Sequence, residues 1–332
     1  MSAELRRVGP APAGSGRPGG RAALPEAEVD LSVRFAGLEL ANPITTASGC
    51  FGSGREIDRF HDVTELGSIV VKSVTLEPRR GLPTPRMAET PSGMLNAIGL
   101  QNPGVDAWLA EDLPWLVERG ATVIVSVAGK SVGEYREVAR RLKRQSGIAA
   151  LEVNLSCPNV EHRGLVFACS ADASSEVIGA VRREADVPVL AKLTSDVTDI
   201  VEVASAVMDA GADGLTLINT LLGMAIDAES GRPALYNGSG GLSGPAIRPV
   251  AVRNVHQVHQ AMPEVPIIGC GGVRSVTDAV EMIRAGATLV AVGTASFVDP
   301  FTAFDLIAEL RRWLAERGVR AVSELRGAVT PW

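Results

Sequence analysis

From residue 40 onward the chain repeats one unit eight times: a short run of β-branched and aliphatic residues, then a segment whose apolar positions fall at helical spacing. The strand runs are residues 42–46, 68–74, 122–127, 149–155, 187–193, 214–219, 265–269 and 288–292. After the fifth run, Val197, Ile200, Val201, Ala204, Val207 and Met208 mark one helical face, and Gly211 stands where a helix C-cap belongs. A helix over 275–285 repeats the pattern with Val276, Ala279, Val280 and Ile283, followed by Gly286. An Ala-Gly-Ala exit recurs at 210–212 and 285–287. Strands that are apolar throughout are covered on both faces, and their alternation with helices predicts a parallel sheet. Eight such units close most naturally as a single α/β (β/α)8 barrel, the TIM-barrel architecture. An open doubly wound sheet would carry Gly-x-Gly-x-x-Gly after its first strand, which Ala47-Ser48-Gly49-Cys50-Phe51-Gly52 does not supply.

A length of 332 residues with 46% hydrophobic content suits one barrel domain, and 4% aromatics makes its core aliphatic. The net charge of −6 argues against a nucleic-acid partner, because neutralising phosphates requires a basic face. Cys50, Cys157, Cys169 and Cys270 lie far apart in sequence, so they read as reduced thiols rather than as ligands of a metal or cluster. No metal is assigned. His256 and His259, at i, i+3 on a predicted helix, read as a solvated face, and Met224 and Met262 as packing. No apolar run approaches the roughly 18 residues of a membrane span, which makes a cytoplasmic location the expectation. Residues 1–28, rich in Gly, Pro, Ala and Arg, are expected to be a disordered extension ahead of a barrel over 29–332.

Chemistry in such a barrel gathers at the C-terminal ends of the strands. Two strand exits there are long, about 75–102 and about 220–244, and are expected to cover the mouth as lids or substrate walls. The fourth strand ends in Asn154-Leu155-Ser156-Cys157-Pro158-Asn159, two carboxamides, a hydroxyl and a thiol where turn residues alone would suffice. Gly271 and Gly272 follow the seventh strand and Gly293 and Thr294 the eighth, where backbone N–H groups can approach a phosphate. The other ends add Ala47, Ser48 and Gly49, Lys72 and Ser73, Asn96, Lys192, and Asn219 with Thr220. Small residues admit a flat ring, while amides and lysines suit its carbonyl oxygens and nitrogens. A phosphorylated planar cofactor fits, and FMN is the simplest choice, since the chain carries neither a dinucleotide fingerprint nor an obvious motif for pyridoxal phosphate. A lysine at the pyrimidine-like edge would stabilise the negative charge of the reduced ring.

These motifs resemble the class 1 dihydroorotate dehydrogenases from about residue 38 to about residue 310. The resemblance is carried by Thr46-Ala47-Ser48-Gly49-Cys50-Phe51-Gly52, Lys72-Ser73-Val74-Thr75, the 154–159 motif, Gly240-Gly241-Leu242-Ser243-Gly244-Pro245-Ala246-Ile247 and Gly271-Gly272-Val273. Asn96-Ala97-Ile98-Gly99-Leu100-Gln101-Asn102-Pro103-Gly104 is similar to the B-type enzymes in particular. The resemblance implies oxidation of dihydroorotate to orotate in pyrimidine biosynthesis, with a proton lost from C5 and a hydride passed from C6 to FMN. It implies Cys157 as the base, and Asn96, Asn154, Asn159, Asn219 and Thr220 holding the substrate. Lys72 would reach substrate and flavin, and Lys192 the flavin's N1–O2 edge. Ala47, Ser48, Gly49, Ser73, Asn154 and Gly244 would contact the cofactor, with Gly271, Gly272, Gly293 and Thr294 around its phosphate.

The B-type resemblance further implies two copies of the subunit and a partner carrying FAD and a 2Fe-2S cluster that passes electrons to NAD, consistent with a chain that has no cluster motif of its own. Two departures stand out. Lys192-Leu193-Thr194-Ser195-Asp196-Val197 replaces the usual Lys-Leu-Thr-Pro-Asn-Val, with little expected effect on chemistry. Arg163 and Cys169 resemble the loop of dihydropyrimidine dehydrogenases, whereas Asn159 matches the dihydroorotate enzymes. A dihydropyrimidine dehydrogenase, a tRNA dihydrouridine synthase and a non-catalytic flavin-binding subunit are the rival readings; the acidic charge disfavours the second, and Cys157, Lys72 and the asparagine set disfavour the third.

Overall fold

The computed structural model describes residues 21–156 and 167–331. All eight predicted runs are strands: β1 (Ile44–Thr46), β2 (Ile69–Val70), β3 (Val123–Val127), β4 (Ile148–Asn154), β5 (Val189–Leu193), β6 (Gly214–Leu217), β7 (Ile267–Cys270) and β8 (Leu289–Val292). They form one sheet in the order β1-β8-β7-β6-β5-β4-β3-β2, parallel at every pairing. Strands β3, β5, β6, β7 and β8 are buried along their whole length, as their unbroken apolar character requires.

The seam between β1 and β2 is closed by an isolated parallel bridge, Thr45 to Ser68, and by hydroxyls. Thr45 Oγ1 donates to Ser68 O (2.9 Å), and Thr46 Oγ1 accepts from Val70 N (2.9 Å). Gly67 is required here, since a Cβ on it would lie 2.1 Å from Asn42 O. The barrel is thus closed, which removes sheet edges.

Among the described residues seven α-helices cover the outside: α1 (Val105–Arg119), α2 (Val132–Leu142), α3 (Ala171–Glu184), α4 (Ile200–Asp209), α5 (Arg248–Ala261), α6 (Val276–Ala285) and α7 (Thr302–Glu316). Side-chain oxygens of Ser131, Ser170, Asp199 and Ser275 cap the starts of α2, α3, α4 and α6 by accepting backbone N–H groups. Gly211 lies one residue past the Ala210 cap of α4, and Gly286 caps α6, both with positive φ as expected for helix exits. No helix among the described residues is long and apolar enough to cross a membrane.

The two long strand exits are not irregular loops. Met87–Thr90 and Gly93–Asn96 from the first, with Leu221–Met224 and Ser239–Ser243 from the second, form one four-stranded antiparallel sheet. Asn96 pairs with Gly241 and Leu95 with Leu242, joining segments about 145 residues apart. Sequence patterns missed these strands because they are short and rich in glycine, and their partners are remote. Leu222 and Met224 project outward on this sheet and are exposed, so Met224 is not a packing residue; Met262 does pack against the core.

Two further expectations change. Residues 1–20 lie outside the described residues, but residues 21–28, assigned to the extension, lie against the barrel: Leu24 N donates to Ala315 O of α7 (2.9 Å), and Arg21 pairs with Glu324. His256 and His259 are not on a solvated face. Gly286, and Gly327 of the C-terminal segment, pack on the His259 ring, and the Nδ1 atoms of both histidines are buried without hydrogen-bond partners. Burial, with Arg326 and His256 nearby, pushes the His259 pKa down.

Candidate active site

The strand exits assemble one continuous polar network. Ser48 Oγ, after β1, lies 3.1 Å from Ser73 Oγ, after β2, which lies 2.8 Å from Ser126 Oγ on β3. Asn154 Nδ2, at the end of β4, donates to Ser73 Oγ (3.4 Å). Asn219 Nδ2, after β6, donates to Asn154 Oδ1 (3.1 Å) and to Ser156 Oγ (3.0 Å). Tyr135 of α2, fully buried, donates its hydroxyl to Asn154 O at 2.6 Å, fixing the strand end from behind. Five strands therefore present interlocked hydroxyls and carboxamides at one end of the barrel, each orienting the next.

The two lysines take different positions. Lys72 is half-buried, and its Nζ would stand 3.2 Å from a Cβ added to Gly49. Gly49, at φ +90°, thus lets the β1 exit pass beside the ammonium. Lys192 is 5% exposed and pairs with the buried carboxylate of Glu152 at 3.4 Å; Thr216 Oγ1 donates to the other carboxylate oxygen at 2.9 Å. Burial pushes Lys192 toward its neutral form, but Glu152, with the Cys270 and Cys50 sulfurs, more than offsets this and holds its pKa above the ordinary value. Burial pushes the Cys270 thiol up and the Cys50 thiol up to about 11, although Cys50 keeps some accessible surface.

On the opposite side of the mouth the backbone itself forms the surface. Gly271 and Gly272 have φ of +132° and +75°, and a Cβ on Gly272 would lie 2.7 Å from Arg248 Cβ and 2.9 Å from Gly244 O. A Cβ on Gly244 would lie 2.8 Å from Gly93 Cα, and one on Gly293 would lie 3.2 Å from Ala47 Cβ. Thr294 Oγ1 donates to Ser243 Oγ (2.8 Å), linking the β8 exit to the covering sheet. Ser296 Oγ, two residues further on, is buried with no hydrogen-bond partner. A backbone cradle that tolerates no side chains and ends at an unsatisfied hydroxyl fits a phosphate group.

Asn96 ends a strand of the covering sheet, and Thr220 immediately precedes its Leu221–Met224 strand. Asn96 Nδ2 donates to Gly241 O (3.3 Å), and Thr220 packs so closely on Gly241 that a Cβ there would lie 2.1 Å from Thr220 Oγ1. The described site residues thus gather at one end of the barrel. Cys157, Asn159 and Arg163 lie outside the described residues. Ser195 and Asp196, the departures after Lys192, are tied into the frame: Ser195 Oγ accepts from Asn254 Nδ2 (2.9 Å), and Asp196 Oδ2 from Leu222 N (3.0 Å). They anchor the β5 exit to α5 and to the covering sheet, leaving Lys192 in place.

The sequence profile of dihydroorotate dehydrogenases matches residues 30–314. The chain belongs to the dihydroorotate dehydrogenase family. A protein of Anoxybacillus flavithermus named dihydroorotate dehydrogenase B (NAD(+)), catalytic subunit, is 53% identical over 297 residues, covering 90% of this chain and 95% of the relative. A Geotalea daltonii protein of the same name is 52% identical over 303 residues, 91% of this chain and 99% of its own length. Another, from Listeria monocytogenes serotype 4b, is 51% identical over 296 residues, 89% and 97% respectively.

Within this dihydroorotate dehydrogenase fold, motif reading did not pick out Ser126, Tyr135, Glu152 or Thr216. Glu152 had a legible signal: an acid in an otherwise apolar strand, two residues before Asn154 and therefore on the same face. Ser126 and Thr216 had none, because a small hydroxyl residue in a strand is unremarkable until its neighbours are known.

Proposed function

We infer that this chain is the catalytic subunit of a B-type dihydroorotate dehydrogenase, oxidising (S)-dihydroorotate to orotate in de novo pyrimidine biosynthesis. The observation that carries the reading is the 53% identity over nearly the full length of a relative of that name. The mouth is compatible with it. The glycine cradle at 271–272 and 293 and the buried Ser296 hydroxyl suit the phosphate of FMN, and small residues at Ala47, Ser48 and Gly49 suit its ring. FMN bound there would supply the hydride acceptor for the C6 hydrogen.

The chain's own residues then divide the work. Asn154 and Asn219, each fixed by neighbours, offer amide groups to the substrate's ring carbonyls and N–H groups, and Asn96 and Thr220 close over it from the covering sheet. Lys72 provides positive charge for the substrate and flavin. Cys157, next in the chain after Ser156, takes the C5 proton, and Asn159 completes the substrate contacts. Lys192 places its ammonium where negative charge accumulates on reduction. Sequestering the mouth under the covering sheet excludes water from these steps.

Electrons leave through a second subunit that carries FAD and a 2Fe-2S cluster and passes them to NAD, in an assembly of two copies of each chain; the relatives' designation as NAD(+) catalytic subunits supports a further subunit and NAD as acceptor. The free Cys50 and Cys270 thiols accord with a cytoplasmic setting. The test is the anaerobic visible spectrum of the purified chain with dihydroorotate, and with dihydrouracil in parallel. Bleaching of a flavin band by dihydroorotate alone is expected. Bleaching by dihydrouracil alone, or no bound flavin, would overturn the reading. NAD reduction by the isolated chain as fast as its flavin reduction would overturn the partner.

A further inference from the structure

Glu152 and Lys192 are two of the few charged side chains buried among the described residues, at 1% and 5% exposure. They belong to β4 and β5, and the groups around them come from three further strand regions: Thr216 on β6, Cys270 on β7 and Cys50 after β1. Groups converging from five strands place the pair in the barrel interior, beneath Asn154, which lies beside Lys192 in the β4–β5 register.

Stability gives little reason for an ion pair here. Moving two charges into a protein interior costs several kcal/mol per ion before their attraction is counted, and apolar pairs of similar volume often serve as well or better. A carboxylate held by a threonine hydroxyl and pointed at a lysine instead has the layout of a support for that lysine.

We propose that Glu152, itself held by Thr216, is a positioning residue for Lys192: it fixes the lysine Nζ below the mouth and keeps it charged, so that a bound flavin faces a compensated ion pair rather than an isolated cation. This rests on the reading above that Lys192 meets the flavin. Burial alone favours a neutral lysine, and Glu152 is the largest opposing influence; the Cys270 and Cys50 sulfurs, the other groups facing it, push in the same direction as Glu152 and less strongly. With Glu152 in place, Lys192 stays an ammonium across neutral pH, and the carboxylate moderates the pull of that ammonium on the reduced ring. Without it, the lysine is a stronger cation at low pH and loses its proton as pH rises.

The test is the pH dependence of the flavin midpoint potential in the FMN-loaded chain, comparing wild type, Glu152→Gln, and the double variant Glu152→Gln/Lys192→Gln. In wild type no lysine-linked step is expected between about pH 6 and about pH 9, because the folded pKa of Lys192 lies above its ordinary value. In Glu152→Gln at about pH 6, the preference for reduced over oxidised flavin should rise about tenfold, roughly 30 mV for a two-electron couple. That gain should vanish toward about pH 9 and be absent from the double variant. A purely structural role would leave no such step.

A folded, flavin-loaded Glu152→Gln protein that follows the wild-type curve overturns the proposal. Should Glu152→Gln not fold, the titration of the Lys192 side-chain nitrogen is followed by NMR in the wild-type chain, with its resonance identified by its loss in the double variant. A midpoint below about pH 9 there is equally fatal, whereas a lysine still charged above about pH 10 supports the proposal. Failure of the wild-type chain to bind flavin would instead sink the functional reading.

Discussion

Replacing Gly272 by alanine should separate backbone strain from steric filling in the phosphate cradle. Gly272 sits at φ +75°, where an L-residue costs about 1–2 kcal/mol. An added Cβ would also lie 2.7 Å from Arg248 Cβ, 2.9 Å from Gly244 O and 3.1 Å from Arg248 Cα, and two of these three are backbone atoms that cannot swing aside. Overpacking of this kind adds about 1–3 kcal/mol, for a sum of about 2–5 kcal/mol. Gly120, at the end of α1, shares the same φ of +75° but has nothing within 4 Å of its would-be Cβ. Gly120→Ala therefore carries the strain alone, about 1–2 kcal/mol. At roughly 2 °C per kcal/mol, thermal melts should fall by about 4–10 °C for Gly272→Ala and about 2–4 °C for Gly120→Ala. Melts repeated with saturating FMN should then separate the site from the scaffold. Relief of the clash must move the Gly272 backbone, and each tenfold loss of FMN affinity removes about 1.4 kcal/mol of ligand stabilisation, while Gly120→Ala should keep the full increment. If Gly272→Ala melts no lower than Gly120→Ala and gains as much from FMN, the cradle is neither tight nor part of the cofactor site.

Asn102, 7% exposed, accepts from Thr75 N and Gly104 N and donates to Leu100 O and Thr75 Oγ1, so Asn102→Ala should lose about 3 kcal/mol in urea unfolding; a loss under about 1 kcal/mol would show that water replaces it. Alkylation of the native chain near pH 8, read by peptide mass spectrometry, should leave Cys50 and Cys270 unmodified until unfolding, because burial holds both thiols protonated; rapid labelling of Cys50 would contradict its pKa of about 11. Glu137 bonds Arg140 and Arg141 on the surface of α2, and these hydrogen bonds hold its pKa down at about 2. A carboxylate with a lowered folded pKa contributes stability above its unfolded pKa, lost as pH falls through the folded one. Glu137→Gln should therefore cost at most about 1 kcal/mol at neutral pH, and the difference should close between about pH 4.5 and about pH 2; a constant difference would refute the assignment.

Local pattern was enough for the barrel. Continuous apolar strands and helical spacing act over a handful of residues, so the eight strands, the helix ending at Gly286 and the exits bearing Lys72, Asn154 and Lys192 were legible before any contact was known. Motif resemblance reached further, to the family and the chemistry expected at each strand end, since the order of residue types there is written in the chain. What only the tertiary structure decided are relations between distant segments. The two long exits become one covering sheet because Asn96 meets Gly241, a pairing set by barrel closure rather than by either segment's propensity. Met224 turns outward and His259 inward because of what packs over them. Glu152 gains its meaning only when β4, β5 and β6 bring its carboxylate to Lys192 and Thr216. A sequence specifies which side chains exist and their local periodicity; burial and partnership, which set a group's charge and orientation, arise from the closed barrel alone.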